Sequence, residues 1–182
     1  MGLIRKIKAI RLRRQIEASV SAYRNQKLDI RETLSGKDLY DVVSDAYRYC
    51  MDKCAWKPSG LEDGAVRDVL LCVLFEDEVL NGGVGQFFAN GSGDMAHETA
   101  SALERIGNAK AAGLLKEALR SFPGGQAPRD REVRNALMDD FDEATVQQLE
   151  QFTSLIEACG IRQSCYPFLM ANKDAFLAFS WK

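Results

Sequence analysis

The sequence predicts an all-α protein, and three observations support that class. Apolar residues recur at three- and four-residue spacing through most of the chain, which is the period of an amphipathic helix. No segment shows the sustained period-two alternation of a half-buried strand. At 182 residues, with 46% apolar and 27% charged residues, the chain can bury roughly 70% of its unfolded surface. We therefore expect one compact domain of about seven to nine helices over residues 31–182, preceded by a basic helical arm over residues 1–30.

The arm carries a charge opposite to that of the body. Residues 1–27 hold eight Lys/Arg against Glu17 alone, a net charge of +7, whereas the remainder has a net charge of −9. Leu3, Ile4, Ile7 and Ile10 share one side of the predicted helix. Such a helix can dock on the body or contact nucleic acid or an anionic membrane. Its candidate contact residues are Arg5, Lys6, Lys8, Arg11, Arg13 and Arg14.

Composition also bounds the compartment. No apolar run approaches the roughly 18 residues of a membrane-spanning helix, and charges interrupt the N-terminus where a secretory signal needs an apolar core. Five cysteines are an odd number without the density of a disulfide framework. These features favour a cytoplasmic protein.

Capping residues and breakers place the first helices of the body. Ser35 is the expected N-cap of a helix running to about residue 56. A second helix, from about residue 62 to 80, is apolar on most faces and is therefore expected at the centre of the core. It should end at Asn81-Gly82, a pair suited to a left-handed C-cap.

Four further helices and a helical tail follow. Ser92 or Asp94 is expected to cap a helix that Gly107 closes, and Asn108 to open the next, which ends at residues 123–125. A short helix over 130–139 should bury Val133 and Leu137, before a helix over 143–158 and a tail over 162–180.

Residues 78–93 contain five of the fourteen glycines. They do not form a dinucleotide fingerprint, because Phe88 stands at the third glycine position and a helix precedes the segment. No Gly-Lys-Ser/Thr follows, so it is not a Walker loop. We interpret the segment as a corner between two helices, with Phe87 and Phe88 in the core and with Asn81, Gln86 and Asn90 bonded to exposed backbone groups.

An alternative interpretation makes the same corner a small-ligand or enzymatic site. It would use Glu78, Asn81, Gln86, Asn90 and His97, the only histidine of the chain. It predicts a concave pocket with those polar side chains converging on one point.

The carboxylates fall into two groups. Glu76, Asp77 and Glu78 occupy the last turn of the second predicted helix, where the macrodipole disfavours negative charge, so we expect amides of the glycine turn to compensate. Asp139, Asp140, Asp142 and Glu143 lack the glycine and glutamate spacing of an EF-hand and are expected to form a solvated acidic corner.

No catalytic, cofactor or metal site is assigned from the sequence. Cys50 and Cys54 lie one helical turn apart, but a single histidine and this spacing do not indicate a zinc site.

One block of residues carries a family resemblance. Its positions are Glu78, Asn81, Gly82, Gly83, Gln86, Phe87, Phe88, Asn90 and Gly93, followed by Ala102-Leu103-x-x-Ile106-Gly107. A weaker match lies at Tyr166, Leu169, Asn172 and Phe176. Over roughly residues 38–180 the chain resembles a bacterial DNA-mimic-protein-like domain family of unknown function. The resemblance implies an all-helical homodimer and, for the DNA mimic, carboxylates that occupy the DNA-binding face of a transcription factor.

The leading hypothesis is a non-enzymatic interaction protein that engages a basic, DNA-binding partner through an acidic surface. DNA attracts proteins mainly through phosphate charge, so an array of carboxylates can compete for the same Lys and Arg side chains. Its candidate contact residues are Glu76, Asp77, Asp139, Asp140, Asp142 and Glu143. The net charge of −2 is small for a mimic. The alternatives are the ligand or enzyme site at the corner, and nucleic-acid or membrane binding by the arm.

Overall fold

The computed structural model describes residues 28–36, 38–54 and 57–179. Of the arm predicted over residues 1–30, residues 1–27 lie outside the described part of the chain. Within the described residues the chain forms nine α-helices and no strand, so the predicted all-α class is confirmed.

The helices are numbered here in chain order. They are α1 (Ile30–Thr33), α2 (Leu39–Lys53), α3 (Ala65–Ala89), α4 (Ala96–Arg105), α5 (Ala109–Leu119), α6 (Arg131–Asp139), α7 (Glu143–Glu157), α8 (Ile161–Ala171) and α9 (Lys173–Ala178). Three short 3-10 segments lie at Pro58–Gly60, Gly91–Met95 and Pro123–Gly125.

Helix α3 is the centre of the fold, as predicted from its apolar faces. It contacts α2, α4, α6, α7, α8 and α9, and twelve of its 25 residues are buried. The predicted corner after residue 80 is confirmed, because a break interrupts the helix there and a second helical stretch continues to Ala89. The break lies at Gly82 (φ −163°) and Gly83 (φ 81°), so the left-handed residue is Gly83 rather than the Asn81-Gly82 pair.

Two predicted N-caps are also wrong. The cap of α2 is Asp38, whose carboxylate accepts from the amides of Tyr40 and Asp41 at 2.9 and 3.1 Å. Ser35 instead follows α1 and donates its hydroxyl to the Glu32 carbonyl. Neither Ser92 nor Asp94 caps α4, because the 3-10 segment Gly91–Met95 leads directly into that helix without a side-chain cap.

The junction of α4 and α5 follows the prediction. Gly107 has φ 83°, and the amides of Gly107 and Asn108 donate back to the carbonyls of Glu104 and Leu103, which is the Schellman pattern. The Asn108 side chain then accepts from the Ala111 amide at 3.0 Å and caps α5.

Helix α6 begins after Asp130, close to its predicted start, but buries a different side chain from the one expected. Val133 is 53% exposed, whereas the neighbouring Arg134 is 0% exposed. Leu137, the other apolar residue expected to be buried, is partly buried and packs against the core. The helix is therefore oriented so that Arg134 and Leu137, and not Val133, face the interior.

None of the helices in the described part of the chain is both long enough and apolar enough to cross a bilayer.

Candidate functional site

The break in α3 is built from two adjacent glycines. At Gly83, φ is 81° and ψ is 179°, a region that essentially only glycine adopts. A Cβ there would lie 2.9 Å from Oγ1 of Thr153. The break frees the Val84 amide from its helical partner, and that amide donates to the same Thr153 oxygen at 3.0 Å. The corner therefore needs glycine for its backbone and α7 for its hydrogen bonding.

The glutamate before the break collects the polar side chains after it. One oxygen of Glu78 accepts from Gln86 Nε2 and Asn90 Nδ2, each at 2.8 Å, and the other accepts from Ser92 Oγ at 2.9 Å. The expectation that Gln86 and Asn90 bond exposed backbone is thus wrong, since both bond a carboxylate. The expectation that backbone amides of the glycine turn compensate the negative charge of Glu78 is also wrong, because the donors to its carboxylate are side chains.

Arg134 secures the other side of the same turn. Its Nε donates to the Phe88 carbonyl and its Nη2 to the Asn90 carbonyl and Asp94 Oδ1. Its Nη1 donates to the carbonyls of residues 128 and 129. All five guanidinium donors are used, so a fully buried charge is fully hydrogen-bonded.

Gly93 is required by close packing in this turn. A Cβ at that position would lie 2.8 Å from the carbonyl oxygens of both Phe87 and Phe88 and 3.0 Å from Nε of Arg134. Phe87 and Phe88 are buried as predicted. Their rings belong to a chain of contacts that runs from Phe75 to Phe122 and includes centroid separations of 4.8 to 5.4 Å.

Glu76 and Asp77 are paired rather than free. Arg162, the second residue of α8, contacts Glu76 through Nη1 and Asp77 through Nη2, the latter at 2.6 Å. Burial alone would lower the pKa of Arg162, but these two carboxylates raise it above its usual value. The predicted compensation by glycine-turn amides is therefore also wrong here, because a cation from α8 supplies it.

The corner also borders a groove, which we call the kink groove. It has a volume of about 390 Å³. It is lined by Gly82, Gly83, Gly85, Met138, Phe141, Val146, Leu149, Glu150 and Thr153. Its walls are mostly apolar, and none of Glu78, Asn81, Gln86, Asn90 or His97 lines it.

The polar residues of the alternative ligand site are thus only partly assembled. Gln86 and Asn90 meet at Glu78, but Asn81 is exposed and His97 lies in the first turn of α4. The buried Nε2 of His97 has no hydrogen-bond partner among the described residues. In the part of the chain that the structure describes, no group of three or more His, Cys, Asp or Glu side chains is placed to hold a metal ion.

The solvated carboxylates lie on α6, on α7 and between them. Residues 135–160 contain six acidic residues and no Lys or Arg, and all six are exposed. We call them the acidic face: Asp139, Asp140, Asp142, Glu143, Glu150 and Glu157. Within residues 28–36, 38–54 and 57–179, none of the recorded ion pairs involves them. Glu150 and Glu157 were not among the contact residues predicted from the sequence, although their seven-residue spacing from Glu143 indicates a shared side of one helix.

Three carboxylates of the acidic face are aligned along α7. Glu143, Glu150 and Glu157 are seven residues apart, so they share one side of the helix with roughly 10.5 Å of axis between neighbours. Leu149 and Ile156 on another side are buried at 6% and 2% exposure. The Asp142 carboxylate begins the helix by accepting from the Thr145 amide at 2.8 Å, an N-cap bond that lowers the pKa of Asp142.

Comparison with family models decides the relationship of this chain. The model described as DMP19-like protein matches residues 60–171, which is more than half of the sequence. The chain belongs to the DMP19-like protein family. This is a DNA-mimic-protein-like family of unknown function. No curated protein and no solved structure matches the chain significantly.

The matched region of this family member contains both features described above. The corner from Glu78 to Gly93 and the carboxylates of the acidic face all lie within residues 60–171, whereas the arm lies outside them. In this DMP19-like chain most residues of the family signature take part in packing and internal hydrogen bonds.

Proposed function

We propose that this protein is a non-enzymatic regulator of the DNA-mimic type, which binds a basic, DNA-binding protein through the acidic face. The observation that carries the proposal is the run of residues 135–160, with six exposed carboxylates and no cation. Membership in the DMP19-like family is consistent with it. A protein that binds phosphates through Lys and Arg would meet a similar array of negative charge here.

Three of these carboxylates form a regular row along α7. Glu143, Glu150 and Glu157 repeat at roughly 10.5 Å along one side of the helix, so a partner that carries Lys and Arg side chains on one surface could contact all three.

The modest net charge does not oppose local mimicry. Exposed charges interact over a Debye length of about 8 Å at physiological ionic strength. At contact distance a partner therefore responds to the acidic face more than to the whole-chain charge of −2. Glu76 and Asp77 are omitted from the proposed contact, because both are already paired with Arg162, which offsets half of their charge.

The experiment compares two triple variants with equal changes in net charge. One neutralises the acidic face (Glu143→Gln, Glu150→Gln, Glu157→Gln), and the matched control neutralises three exposed carboxylates elsewhere. The control positions are Asp41, Glu62 and Asp174. The acidic-face set contains one acidic residue in the first turn of a helix and the control set contains two, so the control loses at least as much favourable interaction with helix dipoles.

Immobilised wild-type protein and both variants are exposed to cell extract, and each captured protein is then purified and titrated. We expect a DNA-binding protein that the acidic-face variant binds about three- to 150-fold more weakly, from about 0.2–1 kcal/mol for each exposed contact. Duplex DNA should displace it, and added salt should weaken it. Equal affinity for the two triple variants, or no displacement by duplex DNA, would show the proposal to be wrong.

The homodimer and the cytoplasmic location expected from the sequence stay predictions. Sedimentation equilibrium tests the first and cell fractionation the second. Neither is needed for the acidic face to bind a partner.

A further inference from the structure

The kink groove combines an apolar floor with an acidic surround. Met138, Phe141 and Leu149 form its partly or fully buried wall, and Val146 is 44% exposed. Glu150 belongs to both the groove and the acidic face. The groove volume of about 390 Å³ lies within the range of sites that hold apolar groups of ligands or partners. A complementary occupant is therefore an amphipathic segment with basic residues around an apolar stripe.

We propose that the kink groove binds the basic arm of the same chain, through the apolar residues at its beginning. Leu3 and Ile4 are adjacent, and Ile7 and Ile10 follow them at three- and four-residue spacing, which is the pattern of a helix that lies in a groove. Their side chains meet the apolar wall of the groove, while the surrounding Lys and Arg face the carboxylates.

Charge complementarity favours the arm over another apolar segment. Residues 1–27 carry a net charge of +7, and residues 135–160 carry six acidic residues without a cation. The body has other exposed apolar side chains, namely Val133, Leu80 and Leu155. An uncharged segment could fill the groove but would bring no Lys or Arg to the carboxylates beside it.

The arm has enough chain to reach the groove. With residues 3–10 docked, residues 11–27 connect them to Leu28, the first described residue. Seventeen extended residues span up to about 58 Å. A domain of this length has a radius of gyration near 16 Å, and hence a diameter of about 40 Å. A path over the surface to the opposite side of such a body is about 63 Å, so the connection can reach most of the surface. This docking does not require that the acidic face bind any other protein.

The first test observes the groove while the arm is changed. In the full chain, the methyl resonance of 13C-labelled Met138 reports on the groove and that of Met95, which is buried in the core, on the fold. Ile7→Asp should lower the ratio of docked to undocked arm by about tenfold or more, since an isoleucine is no longer buried. The Met138 resonance should move and that of Met95 should not. Gln15→Asp adds the same charge outside the docked stretch and should leave both unchanged.

The reciprocal test observes the arm while the groove is changed. Val146→Asp should shift the backbone amide resonances of residues 3–10, whereas Val133→Asp, at an exposed position that does not line the groove, should not. Absence of these shifts together with an unmoved Met138 resonance in Ile7→Asp would overturn the proposal. Mutation-induced resonance shifts that disappear when the protein is diluted about hundredfold would also overturn the proposal, because the groove would then be occupied by the arm of a second copy.

Discussion

Arg134 offers the most direct test of the internal network. Replacing it with methionine keeps the length of the side chain and removes the five donors that serve four backbone carbonyls and one carboxylate. Of these acceptors, the Asn90 carbonyl keeps the Gly93 amide as a donor. A buried acceptor without a partner costs about 1–3 kcal/mol, and removal of one member of a buried ion pair about 3–5 kcal/mol. Asp94 is 45% exposed and regains water, so we expect a loss of about 3–5 kcal/mol in the free energy of unfolding.

In a domain of this size such a loss lowers Tm by about 6–20 °C. Urea unfolding followed by circular dichroism measures the loss in free energy, and thermal unfolding measures the change in Tm. Arg134→Lys and Asp94→Asn are measured as comparison variants. Lysine keeps the charge but has three donors, so its loss should be intermediate, and Asp94→Asn should cost less than about 1 kcal/mol. A loss below about 1 kcal/mol for Arg134→Met would refute the reasoning. If that variant does not fold, an Asp94→Asn loss as large as that of Arg134→Lys would do so.

Three further outcomes are expected. Gly83→Ala should destabilise the protein by about 1–3 kcal/mol, because alanine cannot adopt the Gly83 dihedrals without strain. Gly85→Ala, whose Cβ would meet no atom within 4 Å, should be neutral or stabilising by up to about 1 kcal/mol. Equal Tm values for the two variants would contradict this. Glu78→Gln should cost about 1–3 kcal/mol, since an amide NH₂ then faces donors, and Glu62→Gln at an exposed position should change stability by less than about 0.5 kcal/mol; chemical denaturation measures both. Burial raises the pKa of Cys50 from 9.0 to about 12, so between these pH values the folded state keeps a proton that the unfolded state loses. The free energy of unfolding should therefore fall as pH rises from about 9 to about 12. A Cys50→Ala variant with the same pH dependence would show that Cys50 is not its cause.

Local chemistry made much of the fold predictable. The start of α5 follows from Asn108, because its side-chain oxygen accepts from an amide only three residues later. Its Nδ2 also donates to the Cys159 carbonyl and to Ser164 Oγ, which local sequence does not reveal. The start of α2 was misassigned because Ser35 and Asp38 are both good capping residues. The carboxylate of Asp38 bonds two amides, and this choice depends on how the short helix α1 ends.

The contacts that join distant elements could not be predicted from local patterns. Arg162 bonds carboxylates 85 and 86 positions away, and Arg134 bonds carbonyls on the far side of the corner. Periodicity favoured Val133 as the buried residue of α6, because an arginine without a visible partner is expected at the surface. The Phe88 and Asn90 carbonyls at the turn after α3 reverse that preference, because Arg134 supplies donors to both of them from α6.

The Val84–Thr153 hydrogen bond has a consequence for any partner of α7. It ties the corner of α3 to a residue that lies between Glu150 and Glu157, and Thr153 also donates to the Leu149 carbonyl of its own helix. The backbone that carries these glutamates is thereby held in place before a partner arrives. Binding then has to restrict only their side-chain rotamers, at a cost of up to about 2 kcal/mol each, and most of the ordering entropy has already been lost on folding.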